Sequence, residues 1–143
     1  MSERVVAGGC FCGGIRFDVT LPTQGSAYCH CSMCRRNHGA GFVAWFRVAN
    51  DQLKMTEGES KLVRRASSEH GVRSFCSGCG TPLFCQSDHH PESIDVVLAS
   101  MDTSIDREPQ AHIYYTDRAD WVKVDDALPK FGGKTGTEPL DLD

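Results

Sequence analysis

Apolar and polar positions alternate over much of this chain. Ile15, Phe17 and Val19 are separated by Arg16, Asp18 and Thr20, a period of two that predicts a strand with one buried face. Gly13-Gly14 marks a turn ahead of it, so residues 4–20 read as strand, turn, strand, ended by Leu21-Pro22. Residues 42–48, Phe-Val-Ala-Trp-Phe-Arg-Val, are aromatic and β-branched and read as a buried strand. One of Trp45 and Phe46 belongs in the core there, which frees the other for a pocket. Residues 52–66 look like two short strands around Glu57-Gly58. Val72 to Phe75 and Pro82 to Cys85 extend on either side of a turn, Ser93 to Ser100 forms another strand, and Ile113-Tyr114-Tyr115 a short edge strand. Trp121 to Val124 is extended or irregular. No segment carries a long helical period. The helical signal is one brief turn, capped by Ser32, running through Arg36 and stopped by Gly39 and Gly41. Many short strands with glycine turns predict an all-β, mainly antiparallel domain over residues 1–132. Residues 133–143 read as a loose tail.

Cysteine usage changes this picture. The chain has 143 residues, enough to bury a core without cross-links, yet it carries eight cysteines. The N-terminus shows no basic start followed by an apolar stretch, so no secretory signal is read. No apolar run approaches the roughly 18 residues of a membrane span. The expected location is cytoplasmic, where thiols stay reduced and clustered cysteines are metal ligands or redox groups. Cys10-x-Cys12 and Cys29-x-Cys31 each place two thiols on one face of an extended chain, a chelating spacing. Cys76-x2-Cys79-Gly80 is a zinc-knuckle signal, and Cys31-x2-Cys34 has knuckle spacing without the glycine. Two partitions follow. One joins Cys31, Cys34, Cys76 and Cys79 as a zinc ribbon. The other joins Cys10, Cys12, Cys76 and Cys79 and keeps Cys29, Cys31 and Cys34 together; local geometry prefers it slightly, because Cys29 and Cys31 share a face.

Charge excludes one class of partner. The formal charge is −4 with both signs interspersed, which argues against a nucleic-acid footprint. Arg64-Arg65 reads as solvated surface. Cys85 reads as a small buried side chain on a strand. His30 should point away from any metal held by its neighbours. His38 is a candidate acid or base; His70, His89 and His90 read as loop residues.

These residues carry a resemblance. Gly9-Cys10-x-Cys12-Gly13-x-Ile15-x-Phe17, Cys29-His30-Cys31-x2-Cys34-Arg35 and Phe75-Cys76-x2-Cys79-Gly80-Thr81-x-Leu83 resemble the glutathione-dependent formaldehyde-activating enzyme family, of the superfamily that includes centromere protein V. His112-Ile113-Tyr114, Trp121 and Leu128-Pro129-x-Phe131 match its late pattern. The resemblance implies compact, coiled antiparallel sheets with zinc sites at their junction. It implies a structural zinc at Cys10, Cys12, Cys76 and Cys79, and a second, catalytic zinc at Cys29, Cys31 and Cys34. It implies glutathione as co-substrate and a carbon–sulfur lyase acting on a glutathione adduct of formaldehyde or another small aldehyde. Arg35 becomes a candidate contact for a glutathione carboxylate, and His112 and Trp121 for packing near the site. The alternatives are a zinc-stabilised binding module without turnover and a thiol-redox or metal-buffering protein.

Overall fold

The computed structural model describes residues 4–141. In chain order its elements are β1 (Val5–Gly9), β2 (Arg16–Thr20), β3 (Gly25–Cys29), α1 (Ser32–His38), β4 (Val43–Ala49), β5 (Leu53–Glu57), β6 (Leu62–Ala66), β7 (Gly71–Cys76), β8 (Pro82–Ser87), β9 (Ser93–Val97), β10 (His112–Ile113), β11 (Phe131–Gly132) and β12 (Glu138–Pro139). They form a three-stranded sheet in the order β1-β2-β5, a seven-stranded sheet in the order β10-β3-β4-β9-β8-β7-β6, and the pair β11-β12. The short β10–β3 pairing is parallel. The others are antiparallel. The fold is thus mostly antiparallel β-sheet with one helix, as the alternation predicts. No helix among the described residues is long and apolar enough to cross a membrane.

The main core lies between the two larger sheets. β2 buries Phe17 and Val19 completely and leaves Arg16, Asp18 and Thr20 half-buried. Opposite stand Phe46, Val48, Phe84 and Val96 of the seven-stranded sheet, and the Phe17 and Phe84 rings meet edge-on at 5.1 Å. Each such side chain contributes about 1.5–3 kcal/mol by leaving water.

β4 departs from simple alternation, and this positions the site. Val43, Trp45, Phe46 and Val48 are all buried, because both faces of this central strand are covered. Phe46 and Val48 enter the main core. Val43 and Trp45 join a second cluster with Cys29, Cys31, Cys34 and Val97. β8 divides likewise between Phe84 and Cys85, and β9 between Val96 and Val97. The seven-stranded sheet therefore separates a hydrophobic core from a cysteine-lined face.

Three local expectations change. The cap of α1 is Cys31, not Ser32: the Cys34 amide donates to Cys31 Sγ at 3.3 Å, and Ser32 is already helical. The helix continues to His38, where Gly39 takes the left-handed conformation and its amide bonds the Arg35 carbonyl. The two short strands expected around Glu57-Gly58 are present as β5 and β6, in different sheets. Gly58, at φ 72°, turns the chain from one sheet into the other, and a Cβ there would run into the Gly14 carbonyl. β10 begins at His112 and ends before Tyr114, whose positive φ of 53° breaks the strand and leads into a 310 turn over Tyr115–Asp117. Finally, the expected loose tail is hydrogen-bonded: β11 pairs with β12, and the Tyr114 amide donates to the Gly136 carbonyl at 2.8 Å. Glycine is required at 136 because a side chain would meet the Tyr114 ring. Residues 1–3 and 142–143, at the ends of the two predicted segments, lie outside the described residues.

Candidate metal centres and cavity

Turns at the ends of strands assemble the first centre. The β1–β2 turn brings Cys10 and Cys12, and the β7–β8 turn brings Cys76 and Cys79. One sulfur from each lies within 4.8 Å of the others. Cys10 and Cys12 Sγ are 3.5 Å apart, and Cys12 and Cys76 Sγ 3.9 Å. A tetrahedral ion with Zn–S bonds near 2.3 Å separates its sulfurs by roughly 3.8 Å, so the spacing of this donor set suits such an ion. Backbone amides point at the sulfurs: Ile15 N–H donates to Cys10 Sγ and Gly78 N–H to Cys76 Sγ, both at 3.3 Å. Hydrogen bonds of this kind favour thiolates over thiols. The Thr81 hydroxyl and amide hold Cys79 down at about 5. Thr81 also accepts from the Phe11 amide at 3.0 Å, tying the two turns together.

The second centre lies on the other face of the large sheet. β3 delivers Cys29, and the start of α1 delivers Cys31 and Cys34; all three are buried and their sulfurs lie within 4.8 Å of one another. Cys34 and Cys29 Sγ are 3.4 Å apart. The Arg73 guanidinium of β7 approaches Cys34 Sγ at 3.5 Å and lies 5.9 Å from the Trp45 ring centre. Bonds from Cys29 and Cys31, with Arg73 alongside, hold Cys34 far below the ordinary thiol range. Its bonds to Cys31 and Cys34, and burial, push Cys29 up. The trio by itself therefore carries one negative charge readily. Three thiolates packed this closely need a cation among them, and three sulfurs around one ion leave a position open. Both cysteine sets thus could hold a metal ion.

The two sets differ in their surroundings. Cys10 and Cys76 belong to the main core cluster, whereas Cys29, Cys31 and Cys34 belong to the cluster behind it. Cys76 follows Ser74 on the core-facing side of β7, and Arg73, of opposite parity, reaches the trio. The four-cysteine centre thus joins turns of the two larger sheets, and the trio packs in the cluster on the other face of the seven-stranded sheet.

The trio opens on a cavity. A hollow of about 710 Å3 is lined by Cys29, Cys31, Cys34, Trp45, Arg73 and Cys85, with the Arg47–Asp95 ion pair further along it. Cys85 is half-buried, burial raises its thiol to about 11, and it is outside the ligand set. Trp45 takes the cavity side and Phe46 the core side of β4.

The remaining candidates divide. Arg35 does not line the cavity; it donates to the His30 carbonyl at 3.3 Å and the Asp117 carbonyl at 3.2 Å, bracing the loop behind the trio. His30 points away from the sulfurs, as alternation predicts, and its Nε2 meets His112 Nδ1 at 2.8 Å. His112 Nε2 in turn meets Asp126 Oδ2 at 2.8 Å. His38 packs edge-on to Trp45, and burial, then Arg73, lowers it to about 4. Trp121 is 67% exposed and lies over Gly41. Arg73 escaped notice in the sequence because a lone arginine on a strand resembles any surface residue. Its only signal was its alternation with the core-facing Ser74.

The family model described as "Glutathione-dependent formaldehyde-activating enzyme" matches residues 5–117. The chain belongs to this family. It is 28% identical over 128 residues to a Halomonas elongata protein whose name carries glutathione-dependent formaldehyde activation, spanning 85% of this chain and 82% of that one. An uncharacterized lyase of Schizosaccharomyces pombe is 30% identical over 77 residues, 54% of each chain. A crystal structure of a Rhodobacter sphaeroides protein superposes with a TM-score of 0.59 at 26% identity, covering 71% of this chain and 92% of that one. The family match embraces both cysteine sets and Arg73, and ends before Asp126.

Proposed function

We propose that this protein is a zinc-dependent carbon–sulfur lyase acting on a glutathione adduct of formaldehyde or another small aldehyde. The observation that carries the reading is the convergence of three buried thiols and the half-buried Arg73 on one cavity, while Cys10 and Cys76 pack in the main core and the four-cysteine set does not line that cavity. Cys10, Cys12, Cys76 and Cys79 would hold a structural zinc, and Cys29, Cys31 and Cys34 a second one. A zinc ion at the trio would supply Lewis acidity and favour the thiolate form of an incoming thiol.

The chain's own residues do the rest. The cavity admits a small-molecule thiol and its aldehyde and limits the water around them. Arg73 offsets the negative charge of crowded sulfurs; its Nε and Nη1 are buried without a partner among the described residues, which leaves them available to an anionic substrate group. In the forward direction the thiolate sulfur bonds the carbonyl carbon of formaldehyde, the C=O π pair moves to oxygen, and that oxygen takes a proton. The lyase direction reverses each step. All eight thiols are free, as a reducing compartment such as the cytoplasm would keep them.

The test compares zinc-loaded wild type with Cys31→Ser, following S-hydroxymethylglutathione formation from glutathione and formaldehyde above the uncatalysed rate. Serine preserves the helix cap that Cys31 provides but removes a thiolate. The expected result is a folded variant without rate enhancement. A variant as fast as wild type would sink the proposal.

A further inference from the structure

At the rim of the same cavity, two loops bring together residues that the cysteine chemistry does not use. The β6–β7 turn carries His70, and the β8–β9 turn carries Asp88 and His89. Each offers a ligand atom, and these atoms lie within 4.8 Å of one another. The loops are held in register by backbone bonds: the Asp88 amide donates to the His70 carbonyl at 2.9 Å, and the His90 amide to the Ser87 carbonyl at 3.1 Å. The His89 amide donates to Ser87 Oγ at 3.1 Å.

The geometry points to a third metal site, in which His70, Asp88 and His89 bind a divalent transition cation of the zinc, cobalt or nickel type. His70 Nδ1 and Asp88 Oδ1 are 3.0 Å apart. Two ligands on one tetrahedral ion, with bonds near 2.0–2.1 Å, stand roughly 3.3 Å apart. The His70 and His89 rings lie 4.3 Å apart, tilted by 41°, which brings the second imidazole to the same point. On the far side of His70, Nε2 is 3.9 Å from Glu69 Oε2. A metal-bound imidazole commonly turns its second N–H to a carboxylate, so Glu69 completes that arrangement with a small closing movement. Two imidazoles and one carboxylate select a borderline cation over calcium or magnesium, which prefer all-oxygen shells. His70 and His89 both line the cavity, and three protein ligands leave at least one position there for water or an anion.

The site is independent of the thiols, and the test keeps them apart. Untagged protein, saturated with zinc and desalted, is titrated with zinc chloride by calorimetry while histidine ring resonances are followed by NMR. One further equivalent should bind, shifting His70 and His89 together and leaving His112 unmoved. His70→Ala and His89→Ala should each weaken that step by more than the roughly 10–100-fold that loss of a supporting hydrogen bond costs at a metal site. Glu69→Gln should fall within that 10–100-fold range. Because all three positions are exposed, folding is unaffected, and far-UV circular dichroism checks this. No further equivalent in wild type, or one that persists undiminished in both histidine variants, would overturn the site; neither result touches metal held by the cysteines.

Discussion

Replacing His112 with phenylalanine tests whether the chain behind the trio supports it. His30 and His112 are 0% and 1% exposed, so their polar atoms have no access to water. Direction runs along the chain. The Asp126 carboxylate only accepts, so His112 Nε2–H donates to it at 2.8 Å. His112 Nδ1 is then the acceptor, and His30 Nε2–H donates to it at 2.8 Å. His30 is therefore the neutral Nε2–H tautomer, and its partnerless Nδ1 carries no proton. Phenylalanine keeps the ring stacked on Tyr28 at 5.0 Å but strands the His30 donor in the interior. Stranding a buried donor costs about 1–3 kcal/mol. The lost bond to Asp126, a partly exposed carboxylate, adds no more than about 1 kcal/mol after screening. The sum, about 1–4 kcal/mol, lowers the melting temperature by roughly 3–12 °C at about 3 °C per kcal/mol for a chain of this length. His30 stands between Cys29 and Cys31, so the trio should also lose roughly 10–100-fold in zinc affinity, while the four-cysteine centre, across the sheet, keeps its own. Thermal scans and competition with a chromophoric chelator read both effects. The double variant His30→Phe/His112→Phe removes donor and acceptor together and should regain most of the stability lost by the single one. A His112→Phe melting temperature within about 2 °C of wild type, below the shift expected for 1 kcal/mol, would refute the reasoning. So would equal loss of metal from both centres.

Other outcomes follow from the same geometry. Arg73→Met, which keeps the stem and drops the charge, should raise the glutathione concentration needed for half-saturation by about 10–100-fold, since a charge-assisted hydrogen bond contributes about 1.5–3 kcal/mol; an unchanged dependence would show that Arg73 does not meet the substrate. Cys76→Ala should lose cooperative unfolding, because its sulfur is fully buried where both turns meet the core, and circular dichroism with denaturant reads this. Burial holds His38 near 4, below its unfolded value of about 6.5, so the unfolded state binds more protons between those limits. Stability should therefore fall as pH drops from about 6.5 to about 4, and His38→Phe should flatten urea midpoints across that window.

The sequence alone was enough for the strands and for the kinship. A two-residue period is a local property, so Phe17 and Val19 against Arg16 and Asp18 announced β2, and the same period turned His30 away from the sulfurs. Cysteine spacing is equally local, and it brought the chain to its family. Period two says which residues share a face, but not what covers that face. Only tertiary structure could show that β4 is covered on both sides, that β5 and β6 part at Gly58, and that the two cysteine sets flank one sheet. Capping also depended on it: Cys31 outcompeted Ser32 because the strand exit placed its sulfur over the Cys34 amide. Arg73 reaches Cys34 across 39 positions of sequence, and Asp126 reaches His112 from an irregular loop. No local pattern encodes those distances, because they are set by strand order and by the packing of one sheet against another.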